Sequence, residues 1–309
     1  MPCQNLIFFQ PDLCLKKGVI VKMKKYDAIV IGAGPAGISA SIYIKRANKN
    51  VLVLYSGESE LEKAEKIDNY YGFVNGISGR KLYENGILQA KNLGIDVLEK
   101  EVVDIEILEN FEYIVKSSNE AFVAKVIIIA TGNKKIIPNI VGVKEFEGKG
   151  ISFCAICDGF FYKGKKVAVI GDGNFAVSEA QDLENITNDI VVLTNGRDVR
   201  LGNEFEVDTR EIKEIGGNGK VEFIEFEDGK KINVDGIFIA QGVAGGINFA
   251  KKLGIITKED NIVVNENLET NIKGIFACGN LTGGLFQVSK AVYEGAKAGL
   301  EAVKYLNCH

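Results

Sequence analysis

The pattern that most limits the fold is a buried strand, a glycine-rich turn and a helix, written twice. Asp27-Ala28-Ile29-Val30-Ile31 leads into Gly32-Ala33-Gly34-Pro35-Ala36-Gly37, a helical stretch to about Asn48, and a second apolar run at Val51–Tyr55. Val167–Ile170 leads into Gly171-Asp172-Gly173-Asn174-Phe175-Ala176, a helix with Ala176, Ala180 and Leu183 on one face, and a second run at Ile190–Thr194. In such a unit the first glycine permits a tight turn and the second lets backbone approach a pyrophosphate. The third position, Gly37 or Ala176, lets helix pack on strand. The helix N-terminus faces the phosphate charge, and Pro35 suits a first turn where no amide hydrogen bond is lost. Two units make an internal repeat. The expected fold class is therefore α/β, with two Rossmann-like nucleotide-binding domains and one dinucleotide for each.

Between the repeats lies Ser152-Phe153-Cys154-Ala155-Ile156-Cys157-Asp158-Gly159. Two thiols three positions apart can close a disulfide or share a metal, and a carboxylate follows directly. Of the six cysteines, Cys3, Cys14, Cys278 and Cys308 form no second CxxC, and His309 is the only histidine. That donor set is too poor for a zinc site, so no metal is expected. It also rules against Ser-His-Asp and Cys-His chemistry, leaving Asp158 as the proton carrier nearest the pair. A thiol beside a helix N-terminus is more acidic than usual, which favours exchange near neutral pH. The net charge of −4, without a basic cluster, argues against nucleic acid as a partner. No apolar run approaches the length of a membrane span. A cytoplasmic enzyme is the expectation.

Residues 1–22 read as a loose arm ahead of Met23. Residues 60–125 read as a charged segment, a turn-rich piece, a helix near 78–93 and short strands near 95–99, 101–108, 111–116 and 121–124. Val126–Ala130 then reads as a separate buried strand delivering Thr131-Gly132, and Gly236–Ala240 is its counterpart in the second unit. Gly242, Gly245 and Gly246 read as a flexible crossing. Gly274-Ile275-Phe276-Ala277-Cys278-Gly279-Asn280 precedes a last helix from about Gln287 to Leu306.

The order GxGxxG, Ala-Thr-Gly, CAICDG, GxGxxA and Gly-Ile-Phe-Ala-Cys-Gly-Asn resembles the low-molecular-weight thioredoxin reductases, a two-domain FAD flavoprotein family. The resemblance runs from Lys24 onward. It implies a three-layer ββα FAD domain at 23–136 and 243–309. A redox-disulfide and pyridine-nucleotide domain, 137–242, would be inserted in it. It assigns FAD to Gly32, Ala33, Gly34, Pro35, Ala36, Gly37, Ser56, Asn69, Ala130, Thr131, Gly132, Gly279, Asn280, Gln287 and Val288. It makes Cys154, Cys157 and Asp158 catalytic: Cys157 facing the flavin, Cys154 attacking a thioredoxin-like protein disulfide, and Asp158 serving as acid–base group. The family is usually a homodimer. Both half-sites of one domain must serve one flavin, so a rotation hinged near 133–138 and 241–246 is also expected.

Three departures from the family pattern bear on the electron donor. The arginine-rich run that would hold the NADPH 2′-phosphate appears as Thr194-Asn195-Gly196-Arg197-Asp198-Val199-Arg200. Two lost charge-assisted contacts at about 1.5–3 kcal/mol each would weaken NADPH by orders of magnitude. The flavin-end Gly-Asp is Gly279-Asn280 with Phe286-Gln287 beyond it, and a glycine-glycine-glutamine element after Tyr55 is replaced by the charged run Glu58–Lys66. A pyridine-nucleotide-independent branch fed by ferredoxin shares this kind of departure. Gly171, Gly173, Asn174 and Ala176, with Arg197 and Arg200, form the second nucleotide site that the donor question turns on. The sequence reading is a FAD-dependent disulfide oxidoreductase with NADPH or reduced ferredoxin as donor. A reductase for another small redox protein and a non-catalytic flavin-binding redox sensor are the alternatives.

Overall fold

The structure is a computed structural model describing residues 13–16, 19–117, 120–132, 137–197, 205–242, 244–259 and 261–309, with backbone alone over 13–22. β1 (Leu13–Lys16) and β2 (Val19–Lys22) pair antiparallel, where the sequence suggested a loose arm. β3 (Lys24–Ile31), α1 (Pro35–Arg46) and β4 (Val51–Tyr55) form the first repeat. After α2 (Gly79–Asn92) come β5 (Asp96–Glu99), β6 (Val102–Ile107), β7 (Tyr113–Ser117) and β8 (Ala121–Ile129). β9 (Ile151–Ser152) leads to a single helical turn, α3 (Ala155–Asp158). The second repeat is β10 (Val167–Ile170), α4 (Asn174–Glu184) and β11 (Ile190–Leu193). β12 (Glu206–Asp208), β13 (Ile212–Gly216), β14 (Phe223–Phe226), β15 (Lys231–Asn233) and β16 (Gly236–Ile239) complete that region. α5 (Gly246–Leu253), β17 (Thr257–Lys258), β18 (Asn261–Ile262), β19 (Ile275–Ala277) and α6 (Val288–Cys308) follow.

The chain divides into two compact units, one from Met1–Lys134 with Gly245–His309 and one from Lys135–Ala244. The first holds a sheet ordered β5-β4-β3-β8-β7-β6, with β19 also on β8. Its centre is parallel and its β6-β7-β8 edge antiparallel. β8 corrects the reading of 121–124 and 126–130 as two strands. No glycine or proline interrupts the segment, so it runs on as one strand paired with β3 from Lys24 to Ile31. Its first half pairs with β7 and its second half, Ile127–Ile129, pairs with β19. One strand thus serves both the antiparallel edge and the nucleotide-binding half, which gives the ββα layering.

Parallel strands covered on both faces need continuous apolar runs, and Ile29, Val30, Leu52, Val53, Ile127 and Ile128 are fully buried. α1 and α6 cover one face at unusually short range. A Cβ on Gly295 would lie 2.1 Å from Ala36 O, and one on Gly299 would lie 2.5 Å from Ala40 O. Ser39 Oγ adds a bond to Val292 O at 2.8 Å. α5 corrects the expectation of a flexible crossing at Gly245 and Gly246. Asn248 Oδ1 accepts the Gly245 N–H at 3.0 Å, and left-handed Gly254 ends the helix.

The second unit is a parallel sheet ordered β12-β11-β10-β16-β9, with β13-β14-β15 as a separate antiparallel layer. Among the described residues no helix is long and apolar enough to cross a membrane.

Replacing a helix-interior glycine by alanine favours a free helix by about 1 kcal/mol. At Gly295 the clash with Ala36 O outweighs that gain. Gly295→Ala is expected to destabilise the first unit by about 1–3 kcal/mol, read as a lower urea midpoint. A midpoint that rises would show that the two helices have room to part.

Candidate active site

Cys154 and Cys157 form a disulfide with Cα atoms 5.4 Å apart, an ordinary span for such a bridge. Cys154 is the N-cap of α3 and Cys157 its third residue, so one helical turn brings the sulfurs together. The Cys157 N–H donates to Cys154 Sγ at 3.2 Å. Access to the two sulfurs differs sharply. Cys154 is 2% exposed, whereas Cys157 is open to solvent, as are Ile156, Phe160 and Phe161 around it. The family resemblance implies that Cys154 attacks a partner; here Cys157 is the sulfur that solvent reaches.

The remaining polar groups fix the turn. Ser152, buried at the end of β9, donates to Asp158 Oδ2 at 2.6 Å and accepts the Cys154 N–H at 3.1 Å. Glu179 of α4, 1% exposed, accepts the Ala155 N–H at 2.6 Å. Burial, and then the Asp158 and Asp235 carboxylates, push the Tyr162 phenol above its ordinary pKa, so it stays protonated near neutral pH. Neither Ser152 nor Glu179 was singled out from the sequence. Ser152 sits two residues before the CxxC, a spacing that could have flagged it; Glu179 carries no local signal.

The first cradle is the turn from β3 into α1. Gly32 has φ 114°, and a Cβ there would lie 2.3 Å from Ala130 O; one on Gly37 would lie 1.9 Å from Gly32 O. Gly34 by contrast faces open space. α1 starts with Pro35 and has no side-chain cap and no acid in its first turn. An uncapped helix N-terminus above an open glycine suits a dinucleotide pyrophosphate. Ala33 and Ala36 are buried beneath it, and Ser56 is exposed just past β4.

Around the same unit, Asn69 Nδ2 donates to Gln287 Oε1 at 2.9 Å, joining two residues far apart in sequence. Ala130, Thr131 and Gly132 leave the end of β8, and Thr131 Oγ1 accepts the Gly246 N–H at 2.9 Å. Gln287 is the N-cap of α6 and Val288 its first residue. Gly279 and Asn280 open a 3-10 turn after β19. Its hold on α6 was not foreseen. Lys290 Nζ meets Gly279 O at 2.8 Å, Gly283 O at 2.6 Å and Glu294 Oε2 at 3.0 Å, while Glu294 Oε2 accepts the Gly279 N–H at 2.8 Å. Both side chains are largely buried. Cys278 beside this turn is fully buried, which pushes its thiol far up and keeps it protonated.

The second cradle has the same backbone but different charges. A Cβ on Gly171 would lie 2.3 Å from Ala240 O and 2.8 Å from Ala176 Cβ, while Gly173 is nearly open. α4 begins at Asn174 without a side-chain cap. The loop itself carries Asp172, and Arg197 Nη1 lies 3.7 Å from Asp172 Oδ1. The Gln241 amide, oriented with its oxygen toward Arg197, accepts from Nε at 3.1 Å and Nη1 at 2.9 Å. Arg197 is thus held against the Gly171–Gly173 turn and Gln241. Arg200 and the hinge positions 133–136 and 243 lie outside the described residues.

Comparison with known proteins places this geometry in a family. The pyridine nucleotide-disulphide oxidoreductase family matches residues 26–295. Thioredoxin reductase of Aquifex aeolicus is 33% identical over 92% of this chain and 94% of its own length. The chain belongs to the thioredoxin reductase family of pyridine nucleotide-disulphide oxidoreductases. Among solved structures, the atypical thioredoxin reductase of Desulfovibrio vulgaris Hildenborough has a TM-score of 0.83 at 34% identity, covering 91% of this chain and 98% of its own. A ferredoxin-flavin thioredoxin reductase of Clostridium acetobutylicum has a TM-score of 0.68 at 32% identity, covering 93% of this chain and all of its own. In this chain the open first cradle and the Asn69–Gln287 pair lie in the unit without the disulfide.

Lys290 and Glu294 tie the Gly279 turn to α6. Removing one partner of a buried pair leaves the other charge uncompensated, so Lys290→Met is expected to cost about 3 kcal/mol in the first unit. Thermal unfolding followed by far-UV circular dichroism would register it; an unchanged midpoint would mean that Glu294 finds water instead.

Proposed function

We propose that this chain is a cytoplasmic, FAD-dependent reductase of a thioredoxin-like protein disulfide, with a reduced ferredoxin-type protein rather than NADPH as electron donor. The observation that carries the first half is the asymmetry of the cysteine pair: one sulfur buried and pinned, the other exposed among Ile156, Phe160 and Phe161. Three exposed apolar side chains around a thiol suit a protein partner better than a small disulfide.

The residues of the first cradle, with Asn69, Thr131, Gly279, Asn280 and Gln287, fit FAD as the family assigns it. Asn280 is half-buried and makes no hydrogen bond to another described residue through its side chain, leaving its amide for a ligand hydroxyl. When bound, FAD supplies the two electrons that open the Cys154–Cys157 disulfide. The exposed Cys157 thiolate then attacks a sulfur of the partner disulfide, forming a mixed disulfide and releasing one partner thiolate. Cys154 attacks Cys157 Sγ, re-forms the internal bridge and releases the second thiolate. Asp158, held by Ser152, takes up and returns the proton that leaves the cysteine pair and reaches the partner thiolate. No histidine is needed.

The donor follows from the second cradle. The turn that leads to Gly173 carries an acid, Asp172, and Arg197 is engaged by Asp172 and Gln241 instead of free for a 2′-phosphate. The neighbour from Clostridium acetobutylicum is by name a ferredoxin-flavin enzyme, which supports the same donor class. A one-electron carrier must act twice for each disulfide reduced.

Anaerobic titration tests the donor. Reduced ferredoxin is expected to bleach the visible flavin absorption, and NADPH and NADH are expected to leave it. Bleaching by NADPH would overturn the donor assignment, and bleaching by none of the three would favour a redox sensor. A trapping experiment tests the thiol order. Cys154→Ser should accumulate a stable mixed disulfide between Cys157 and a thioredoxin-like protein, visible on a non-reducing gel, while Cys157→Ser should not; the reverse pattern would return the attack to Cys154.

A further inference from the structure

We propose that Glu179 is a positioning residue that holds Cys154 as the resolving thiol of the exchange. This rests on the reading above in which Cys157 makes the first attack. Glu179 belongs to α4, the helix of the second glycine cradle, and is 1% exposed. A carboxylate in such a place is costly unless it does something for the groups around it. Here its Oε2 accepts the N–H of Ala155, the residue that follows Cys154.

The backbone on both sides of Cys154 is therefore tethered. Its own N–H goes to Ser152 Oγ at 3.1 Å, and the next N–H goes to Glu179 at 2.6 Å. Cys157 directs its N–H back to Cys154 Sγ at 3.2 Å, and its side chain is exposed. When the S–S bond opens, the sulfurs must separate to non-bonded distance, and the exposed Cys157 is the one that can move. Cys154 must stay where it can strike Cys157 once that sulfur carries a partner. Holding a nucleophile in place in this way turns a bimolecular encounter into a local one, and small displacements are expensive in rate. Asp158 on α3 and Tyr162 beside it are the other titratable groups identified next to the pair, and neither touches the Ala155 N–H.

The test uses the reduced full-length protein and an aromatic disulfide, dithiobis-nitrobenzoate, in a background carrying Cys3→Ser, Cys14→Ser and Cys308→Ser. It needs neither bound flavin, donor nor protein partner. In the first phase the Cys157 thiolate attacks the reagent, a mixed disulfide forms and one aromatic thiolate leaves. In the second, Cys154 loses its proton and attacks Cys157 Sγ, and the second aromatic thiolate leaves. The cysteine pair gives up two electrons and the reagent takes them. Glu179→Asp, one methylene shorter, and Glu179→Met, without an acceptor, are expected to slow the second phase at least about tenfold while the first is unchanged. Glu179→Gln keeps an acceptor oxygen at full reach and is expected to restore the second phase. Unfolding of the methionine variant leaves the aspartate and glutamine variants to decide.

Equal rates in Glu179→Asp and the parent, or equal slowing of both phases, would overturn the proposal. Failure of Glu179→Gln to restore the rate would overturn it as well, by assigning the effect to charge. A first phase kept in Cys157→Ser and lost in Cys154→Ser would instead defeat the underlying thiol order, whatever Glu179 does.

Discussion

Everything in the first unit depends on how closely α1 is allowed to approach its neighbours. A Cβ on Gly37 would meet Gly32 O at 1.9 Å, and one on Gly295 would meet Ala36 O at 2.1 Å. These two approaches, one to the turn and one to α6, leave the start of α1 no freedom to shift. The turn of Gly279 is fixed to the same place, because a Cβ there would already touch Ala36 Cβ at 3.0 Å. The pyrophosphate cradle and the Gly279 turn are therefore aligned by backbone contact rather than by side chains that could reorient. Close packing of this kind transmits small displacements directly.

The second unit repeats the backbone device and changes the charges. Gly171 is pressed against Ala240 O much as Gly32 is pressed against Ala130 O. The shared geometry explains why the glycines persist whether or not a nucleotide binds: the helix cannot dock on the strand without them. Ligand preference must be read from what lines the turn. The first turn carries no acid, while the second carries Asp172 and an arginine drawn back onto it. A glycine motif alone would have assigned the same ligand class to both.

The split in what the sequence revealed follows from range of interaction. The repeats, the fold class and the bridging of Cys154 with Cys157 were legible because each is written in local spacing, two or three residues at a time. The continuity of β8 was missed because Lys125 interrupts the apolar run without stopping the strand, which β3 and β19 hold from either side. Glu179 and the Lys290–Glu294 latch were missed because their meaning lies in partners elsewhere, Ala155 in one case and the Gly279 turn in the other. The unequal exposure of the two sulfurs was missed for the same reason: the CxxC spacing fixes their separation, not which of them solvent reaches.

That last point bears on how a reductase can run without histidine. A thiol needs a nearby proton carrier and a stabilised anion, and here the two are provided by different parts of one turn. Asp158 is held by the Ser152 hydroxyl, and the same hydroxyl oxygen accepts the Cys154 N–H, so carboxylate and sulfur are coupled through one side chain. The Cys157 amide pointing at Cys154 Sγ favours negative charge on that buried sulfur once the bridge opens. A thiolate formed there is the one needed to resolve a mixed disulfide, while Cys157, on the open side, needs reach more than a low pKa. On the proposed order of attack, the turn would divide exchange into an exposed sulfur that meets the partner and a buried, tethered one that ends the encounter, each set by the end of a single helical turn it occupies.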